Sequence, residues 1–427
     1  VGKARVGKSV YARCKRYEDG RYGAAVMGVW GWGGSSHYRT ERLTYEIESD
    51  YCESLAVRQS QDNGASFSEF ETFSQTNPKQ GGFEREDLWF AVCHDPLRDH
   101  DVRFDFQRLF RGTGPEALAA HFQGKEALFD HGLYCISRER GRTFSAPRLL
   151  KFEEGDDFDE SDWGRTGYLT KNQMYGGYTA IVTRAGKLVY PFCVEEKVKT
   201  GTGEQTTCAV RCMIGTWDEP AADYRWEISS AVAVPLEWSG RGLMEPTIAE
   251  LTDGRLAMGL RGSTAMWKAY DPEGRITVTE PGRHWLAVSE DGGYRWGPVR
   301  DWRYADGEQF YSPSTFSRLL RHSNGTLYWI GNICPEPPEG NMPRHPLVIA
   351  EVDERGPGLV KESVTVIDTK GEDEQVEKRF QLSNFSILEN TETGAIELYL
   401  TRYGESPEHW LKANAYKYEI EVSKRRS

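Results

Sequence analysis

Several groups of residues in this sequence carry side chains that could do chemistry on a bound ligand. The segment Asn172-Gln-Met-Tyr175-Gly-Gly-Tyr178 sets two phenols around a glycine pair, and glycine lets a backbone approach a bound ring closely. Packing inside a core is the ordinary duty of such aromatics. Glu48, Asp50 and Glu53 crowd Ser60 from upstream; acidic loop residues are ordinarily solvated, and a carboxyl becomes a working acid only where burial or a neighbouring carboxylate raises its pKa. His37, His94, His284 and His345 fall near expected strand ends, where an imidazole can bond a ligand or relay a proton. Thirteen tryptophans, Trp30 and Trp32 among them, offer flat faces for stacking on a sugar or for filling a β-rich core. Cys208 and Cys212 have a weakly metal-like spacing, but no second Cys or His pair follows at zinc-site distance. The reading therefore implies no metal and no cofactor.

Charge narrows the partners. A formal net charge of −12 over 427 residues argues against nucleic acid, which needs a basic surface to release counterions. It leaves an acidic small ligand open, because the field inside a cleft is set by local charges. No run approaches the roughly 20 apolar residues that span a bilayer, so no membrane partner is implied. The first residues, VGKARVGKSVYARCKRY, lack the apolar core of a secretory signal. The eight cysteines are scattered through apolar runs and read as buried thiols, with one or two disulfides as the alternative.

The elements that would position these side chains come from a repeat. A turn glycine followed by a short apolar strand recurs at Gly20, Gly186, Gly254, Gly325 and Gly394, and from Gly186 onward the period is about 70 residues. Each site reads as a hairpin whose glycine supplies the positive φ of a tight turn. The strand-like DLWFAVCHD around Leu88 supplies the unit missing between Gly20 and Gly186. Six units nearly exhaust the chain, which predicts an all-β fold, a six-bladed β-propeller, as one domain over residues 1–427. Residues 112–132, GTGPEALAAHFQGKEALFDHG, break the pattern with helical spacing behind a proline start signal. They are expected to form a helical insertion in the second blade, either a loop decoration or a wall over a central pocket.

A second motif recurs independently, at Ser60-Gln-Asp62-Asn-Gly64-Ala-Ser66-Phe67, at Ser137-Arg-Glu139-Arg-Gly141-Arg-Thr143-Phe144 and at Ser289-Glu-Asp291-Gly-Gly293-Tyr-Arg295-Trp296. Its physics is that of a turn: carboxylate and hydroxyl satisfy backbone N–H groups, glycine turns left-handed, and the aromatic packs beneath. These segments resemble the Asp boxes of the sialidase (BNR-repeat) superfamily, and the resemblance extends over nearly the whole chain. It implies the six-bladed propeller and an arginine-lined pocket for an acidic sugar.

The resemblance also implies positions for the chemistry. Leu243-Met-Glu245-Pro through Arg261 is similar to the family's blade carrying its glutamate and second arginine, and Arg344 ahead of an apolar strand is similar to the third. Guanidinium suits this duty because its fork matches a carboxylate. Arg13, in Val10-Tyr-Ala-Arg13, stands one residue from the family's first arginine, which requires a bulge if it is to face the same way. Asp50 matches the family's acid, and His345 adjoins Arg344. The family's nucleophilic tyrosine is missing: Gln381-Leu-Ser-Asn-Phe385 occupies its place. Tyr311, Tyr175 or Glu245 itself are the candidates to replace it.

The expected function is exo-acting hydrolysis of a glycan bearing a sialic-acid-like or uronic acid sugar. In that scheme Asp50 is the acid and Glu245 the base or nucleophile, while Arg13, Arg261, Arg344, Tyr175 and His345 bind. A polysaccharide lyase acting on uronic acids and a non-catalytic glycan-binding propeller are the alternatives. A polymer-degrading role would favour the periplasm or the exterior.

Overall fold

The expected turn glycines sit between antiparallel strands in the computed structural model, which describes residues 3–73, 77–155, 157–200 and 203–422. Gly186, Gly254, Gly325 and Gly394 all have φ between 71° and 94°. They join Ile181–Val182 to Leu188–Thr200, Met244–Glu250 to Leu256–Arg261, Arg318–Arg321 to Leu327–Asn332, and Ser386–Glu389 to Ala395–Thr401. Only glycine takes this conformation without a Cβ clash, which is why the repeat is punctuated by it.

The first two units use other turns. Gly20 folds the two-residue strand Lys15–Arg16 onto Tyr22–Trp32, while the long hairpin of that sheet turns at Gly33 and Gly34, with φ 69° and 65°, into Tyr38–Glu48. The second unit is built on Phe83–Asp95, the strand expected around Leu88, and it turns through Asp99 at φ 50° into His100–Arg111. Aspartate is one of the few residues that tolerates this region.

Six antiparallel sheets result, the blades of an all-β propeller. The first continues from Tyr38–Glu48 through Tyr51–Ser60 to Glu71–Phe73, and the second from His100–Arg111 through Leu128–Ser137 to Arg148–Leu149. The third runs from Leu188–Thr200 through Gly203–Asp218 to Asp223–Ile228, and the fourth from Leu256–Arg261 through His284–Ser289 to Arg300–Asp301. In the fifth, Leu347–Asp353 follows Leu327–Asn332; in the sixth, Ala415–Glu421 follows Ala395–Thr401. The strand Arg5–Ala12 then pairs with Ala415–Glu421, so the first and last strands of the described residues share one sheet, and the pairing covers an edge that would otherwise be open.

The described chain divides into two compact units, residues 1–75, 281–284 and 301–427 in one and residues 76–280 and 285–300 in the other. Each has its own core. In the second unit the third and fourth sheets meet through Val189, Ile214, Ile248, Met258 and Trp285, and Phe104 stacks on Tyr190 at 4.0 Å between the second and third. In the first unit Met27 and Val29 of the first sheet pack on Tyr399 of the sixth. Trp32, Trp302 and Trp329 are fully buried, the packing role open to them from sequence.

The three repeated Ser-Asp/Glu-Gly turns close as their chemistry requires. Ser60, Ser137 and Ser289 each accept, through Oγ, the N–H of the glycine four residues on, at 2.9 Å. Asp62 and Asp291 accept the N–H of Ser66 and Arg295, each at 2.9 Å. In the second turn Glu139 is a methylene longer and instead accepts the Thr143 hydroxyl at 3.1 Å.

The insertion is a helix over Gly114–Phe122, shorter than the segment 112–132 that the sequence suggests. Residues from Leu128 onward already pair with His100–Arg111. The His121 ring packs edge-on against Trp267 at 4.9 Å, so the excursion leans on the loop that follows Arg261. Among the described residues no helix is long and apolar enough to cross a membrane.

Candidate functional site

Two clusters of chemically capable residues stand out, one in each unit. In the unit of residues 76–280 and 285–300, the pairing of Met244–Glu250 with Leu256–Arg261 slips between Met244 and Thr247. Glu245 lies in that bulge at φ 44°, a strained conformation for a residue with a Cβ. The bulge turns the buried Glu245 carboxylate onto the buried Arg261 guanidinium, with Nη1 and Oε2 2.7 Å apart. The Glu245 N–H donates to Cys193 Sγ at 3.2 Å, which fixes the bulge to the third sheet.

Tyr175 joins this cluster. Its hydroxyl lies 3.1 Å from that of Tyr178, and Phe90 stacks on Tyr178 at 4.8 Å. Burial first, then the charges of Tyr178 and Glu245, hold the Tyr175 phenol well above its ordinary range. It is a hydrogen-bond donor and a poor nucleophile in this state. The glycine pair beside it serves another purpose than the one read from sequence. A Cβ on Gly176 would meet the Tyr190 hydroxyl at 2.4 Å and one on Gly177 the Pro191 carbonyl at 2.2 Å, so the neighbouring strand occupies the space.

Arg241 was not singled out in the sequence, although its setting Gly240-Arg241-Gly242 is visible there. Its guanidinium faces Trp267 at 5.2 Å. Burial and the charge of Arg261 both push its pKa down, while Glu245 opposes them.

In the unit of residues 1–75, 281–284 and 301–427, Asp50 occupies the tip between Tyr38–Glu48 and Tyr51–Ser60. It is exposed, has φ 61°, and donates its backbone N–H to Glu46 Oε1 at 3.1 Å. The other Glu46 oxygen accepts the hydroxyl of the buried Tyr403 in a very short hydrogen bond. Burial and the Asp50 charge push the Glu46 carboxyl up to about 8, against the weaker pull of Tyr403. Neither Glu46 nor Tyr403 is conspicuous in sequence, since 357 positions separate them and each reads as an ordinary strand residue.

Arg344 lies in the same unit. Its guanidinium donates to Gln381 Oε1 at 2.7 Å, to Ser383 Oγ at 3.3 Å and to the Ser314 carbonyl at 2.9 Å. Gln381 in turn donates its backbone N–H to the Tyr403 carbonyl at 3.0 Å. In the stretch that stands in place of the family tyrosine, the aromatic is Phe385, buried and packed on Phe316 at 4.7 Å. It has no hydroxyl to offer. The remaining candidates lie in other settings. Arg13 is exposed just past a register slip between Val10 and Ala12, Tyr311 pairs through its backbone with Cys334, and His345 lies 3.4 Å from the Thr369 hydroxyl. Burial and Lys370 hold the His345 imidazole below its ordinary range.

No family model matches the chain, and no curated protein matches it. Solved structures do. A protein of unknown function from Dyadobacter fermentans superposes with a TM-score of 0.59 at 13% identity, covering 99% of this chain and 100% of that one. The NanB sialidase of Streptococcus pneumoniae gives 0.59 at 12% identity over 97% of this chain and 70% of its own. The Trypanosoma rangeli sialidase, solved with sialic acid, gives 0.52 at 14% identity over 97% and 59%. The fold is the six-bladed propeller of the sialidases. At such identities the similarity to sialidases is one of fold, and the chemistry has to be argued from this chain's own side chains.

Proposed function

We propose that this sialidase-fold protein is an exo-acting glycoside hydrolase that removes an acidic sugar, sialic-acid-like or uronic, from a glycan. The observation that carries the reading is the buried Glu245–Arg261 pair, held 2.7 Å apart on a strained bulge and backed by Tyr175 and Tyr178. A strained backbone that orients a buried carboxylate and guanidinium is costly to keep for stability alone, and the pair is equipped to receive a carboxylate and a sugar hydroxyl. Arg344 is proposed as a binder of the sugar acid; Gln381 Oε1, Ser383 Oγ and the Ser314 carbonyl, which accept from it, are neutral groups.

Glu46 is the proton donor in this reading. A general acid must carry its proton at working pH, and a carboxyl pushed up to about 8 does so at neutrality. Burial, and after it the charge of Asp50, keeps it there. Glu245 is the base or nucleophile in place of the family tyrosine, since Phe385 has no hydroxyl and Tyr175 holds its proton tightly. The missing hydroxyl also supports a second reading, elimination by a lyase, in which an arginine neutralises the uronate carboxylate.

One incubation separates the readings. Purified protein is mixed with sialosides and uronic-acid glycans, and both new reducing ends and ultraviolet absorbance are followed. Reducing sugar without absorbance is the expected result. Absorbance from unsaturated ends would replace the hydrolase with a lyase, and silence on both would leave a binding propeller.

A further inference from the structure

We infer that Arg241 is a ligand-binding guanidinium that shares the sugar carboxylate with Arg261; the inference rests on the function proposed above. The loop that carries it is built to hold one geometry. Ser239 Oγ donates to the Gly242 carbonyl at 2.5 Å and accepts the Ser263 N–H at 2.9 Å, while Gly240 N–H donates to the Ser263 carbonyl at 2.9 Å. A Cβ on Gly240 would lie 2.6 Å from the Ala265 carbonyl, and one on Gly242, at φ 65°, would lie 2.1 Å from that of Cys208. Side chains are thus excluded on both flanks of Arg241, and the backbone is pressed against two other segments.

The arginine so placed is incompletely satisfied. Its Nε is buried without a hydrogen-bond partner among the described residues, a condition that folded proteins avoid. Its neighbours do not balance its charge either. Glu245 is already 2.7 Å from Arg261, so two guanidinia share one carboxylate. An incoming carboxylate would satisfy Nε and balance the second guanidinium, while the Trp267 ring, over which the guanidinium lies at 5.2 Å, helps to hold the arginine in place.

Sulfate tests the anion site without knowledge of the sugar. Full-length protein is titrated with sodium sulfate at constant ionic strength and the melting temperature is recorded, then the titration is repeated in saturating N-acetylneuraminate or glucuronate. We expect a saturable rise in the wild type, abolished by either acid, and an affinity for sulfate about 10- to 100-fold weaker in Arg241→Gln. Arg241→Lys should recover part of it, and Arg355→Gln, an exposed control, should titrate like the wild type. A sulfate response unchanged in Arg241→Gln, or absent from the wild type, overturns the inference. If sulfate binding depends on Arg241 yet no sugar acid competes, the anion site stands and the hydrolase reading falls. If the acids bind wild type and Arg241→Gln equally, the reading stands and Arg241 has no part in it.

Discussion

The Glu245 and Glu46 clusters put the same kind of residue to opposite uses. Glu245 is set against Arg261 by a bulge, with a further guanidinium, Arg241, felt nearby. Glu46 has no cation among the causes that shift it; it meets a buried phenol and the negative charge of Asp50. One carboxyl is surrounded by excess positive charge and the other is pressed to keep its proton. What differs is the source of the environment: a local bulge for Glu245, and two strands from opposite ends of the chain for Glu46.

The sharpest way to break this comparison is Glu46→Gln. If Glu46 donates the proton, kcat should fall by about 10²- to 10⁴-fold, and the decline of wild-type activity as pH rises through about 8 should vanish. Steady-state rates from pH 5 to 9 on the best substrate of the panel decide it, and an unchanged kcat would remove Glu46 from the chemistry. Stability gives a second reading of the same group. Between the ordinary value of 4.5 and about 8 the folded chain holds a proton that the unfolded chain has released, so this group's contribution to stability declines as pH rises through that window. Glu46→Gln lacks the dependence. Its melting temperature relative to the wild type should therefore improve steadily from pH 5 to 8.

The Glu245 cluster should respond through stability first. Arg261→Met leaves Glu245 buried without its partner, which typically costs about 3–5 kcal/mol, measured by urea unfolding at pH 7. Adding Glu245→Gln to Arg261→Met should restore most of that loss, because the stranded charge goes with it. If Arg241 can swing to Glu245, the single variant will cost less, and the full penalty will return in an Arg241→Gln background.

Legibility in sequence followed the range of the interactions. The Ser60, Ser137 and Ser289 turns bond within seven or eight consecutive residues, so their motif states their geometry, and the hairpin glycines at Gly186 to Gly394 are equally local. Asp99 in the second unit escaped because the turn requires positive φ and not glycine as such. Glu245 and Arg261 pair across one hairpin, and it was the resemblance of that hairpin to the sialidase blade that brought them forward. Tyr403 and Glu46 meet only because Tyr38–Glu48 and the end of Ala395–Thr401 come together in the folded unit, and no spacing encodes that. The glycines at 176 and 177 were legible as a need for close approach, but the approaching group proved to be the chain's own Tyr190 and Pro191.

Tyr403→Phe sharpens the comparison at smaller cost. The phenol lowers the Glu46 pKa against burial and Asp50, so its removal should move the alkaline limb of the pH profile upward. Loss of one buried hydrogen bond should cost about 1 kcal/mol in urea unfolding. Retention of kcat at neutral pH would mark Tyr403 as a positioning residue; a fall matching that of Glu46→Gln would mean that the phenol itself takes part in proton transfer.

The smallest effect is expected from Asp50→Asn, and it separates two accounts of the acid. The family resemblance places the acid at Asp50, in which case the substitution should remove about 10²- to 10⁴-fold of kcat. In the structure Asp50 is exposed at a hairpin tip, its backbone N–H bonds Glu46, and its charge is the second cause, after burial, of the high Glu46 pKa. Asparagine tolerates the positive φ found there and leaves the backbone hydrogen bond in place. Only the charge is lost, and water screens an exposed charge strongly. The alkaline limb should therefore move to lower pH while the plateau below it keeps nearly its full height, because a Glu46 that gives up its proton more readily is still protonated in mildly acidic solution. A collapsed plateau would return the acid to Asp50 and reduce the Tyr403–Glu46 pair to a buried structural contact.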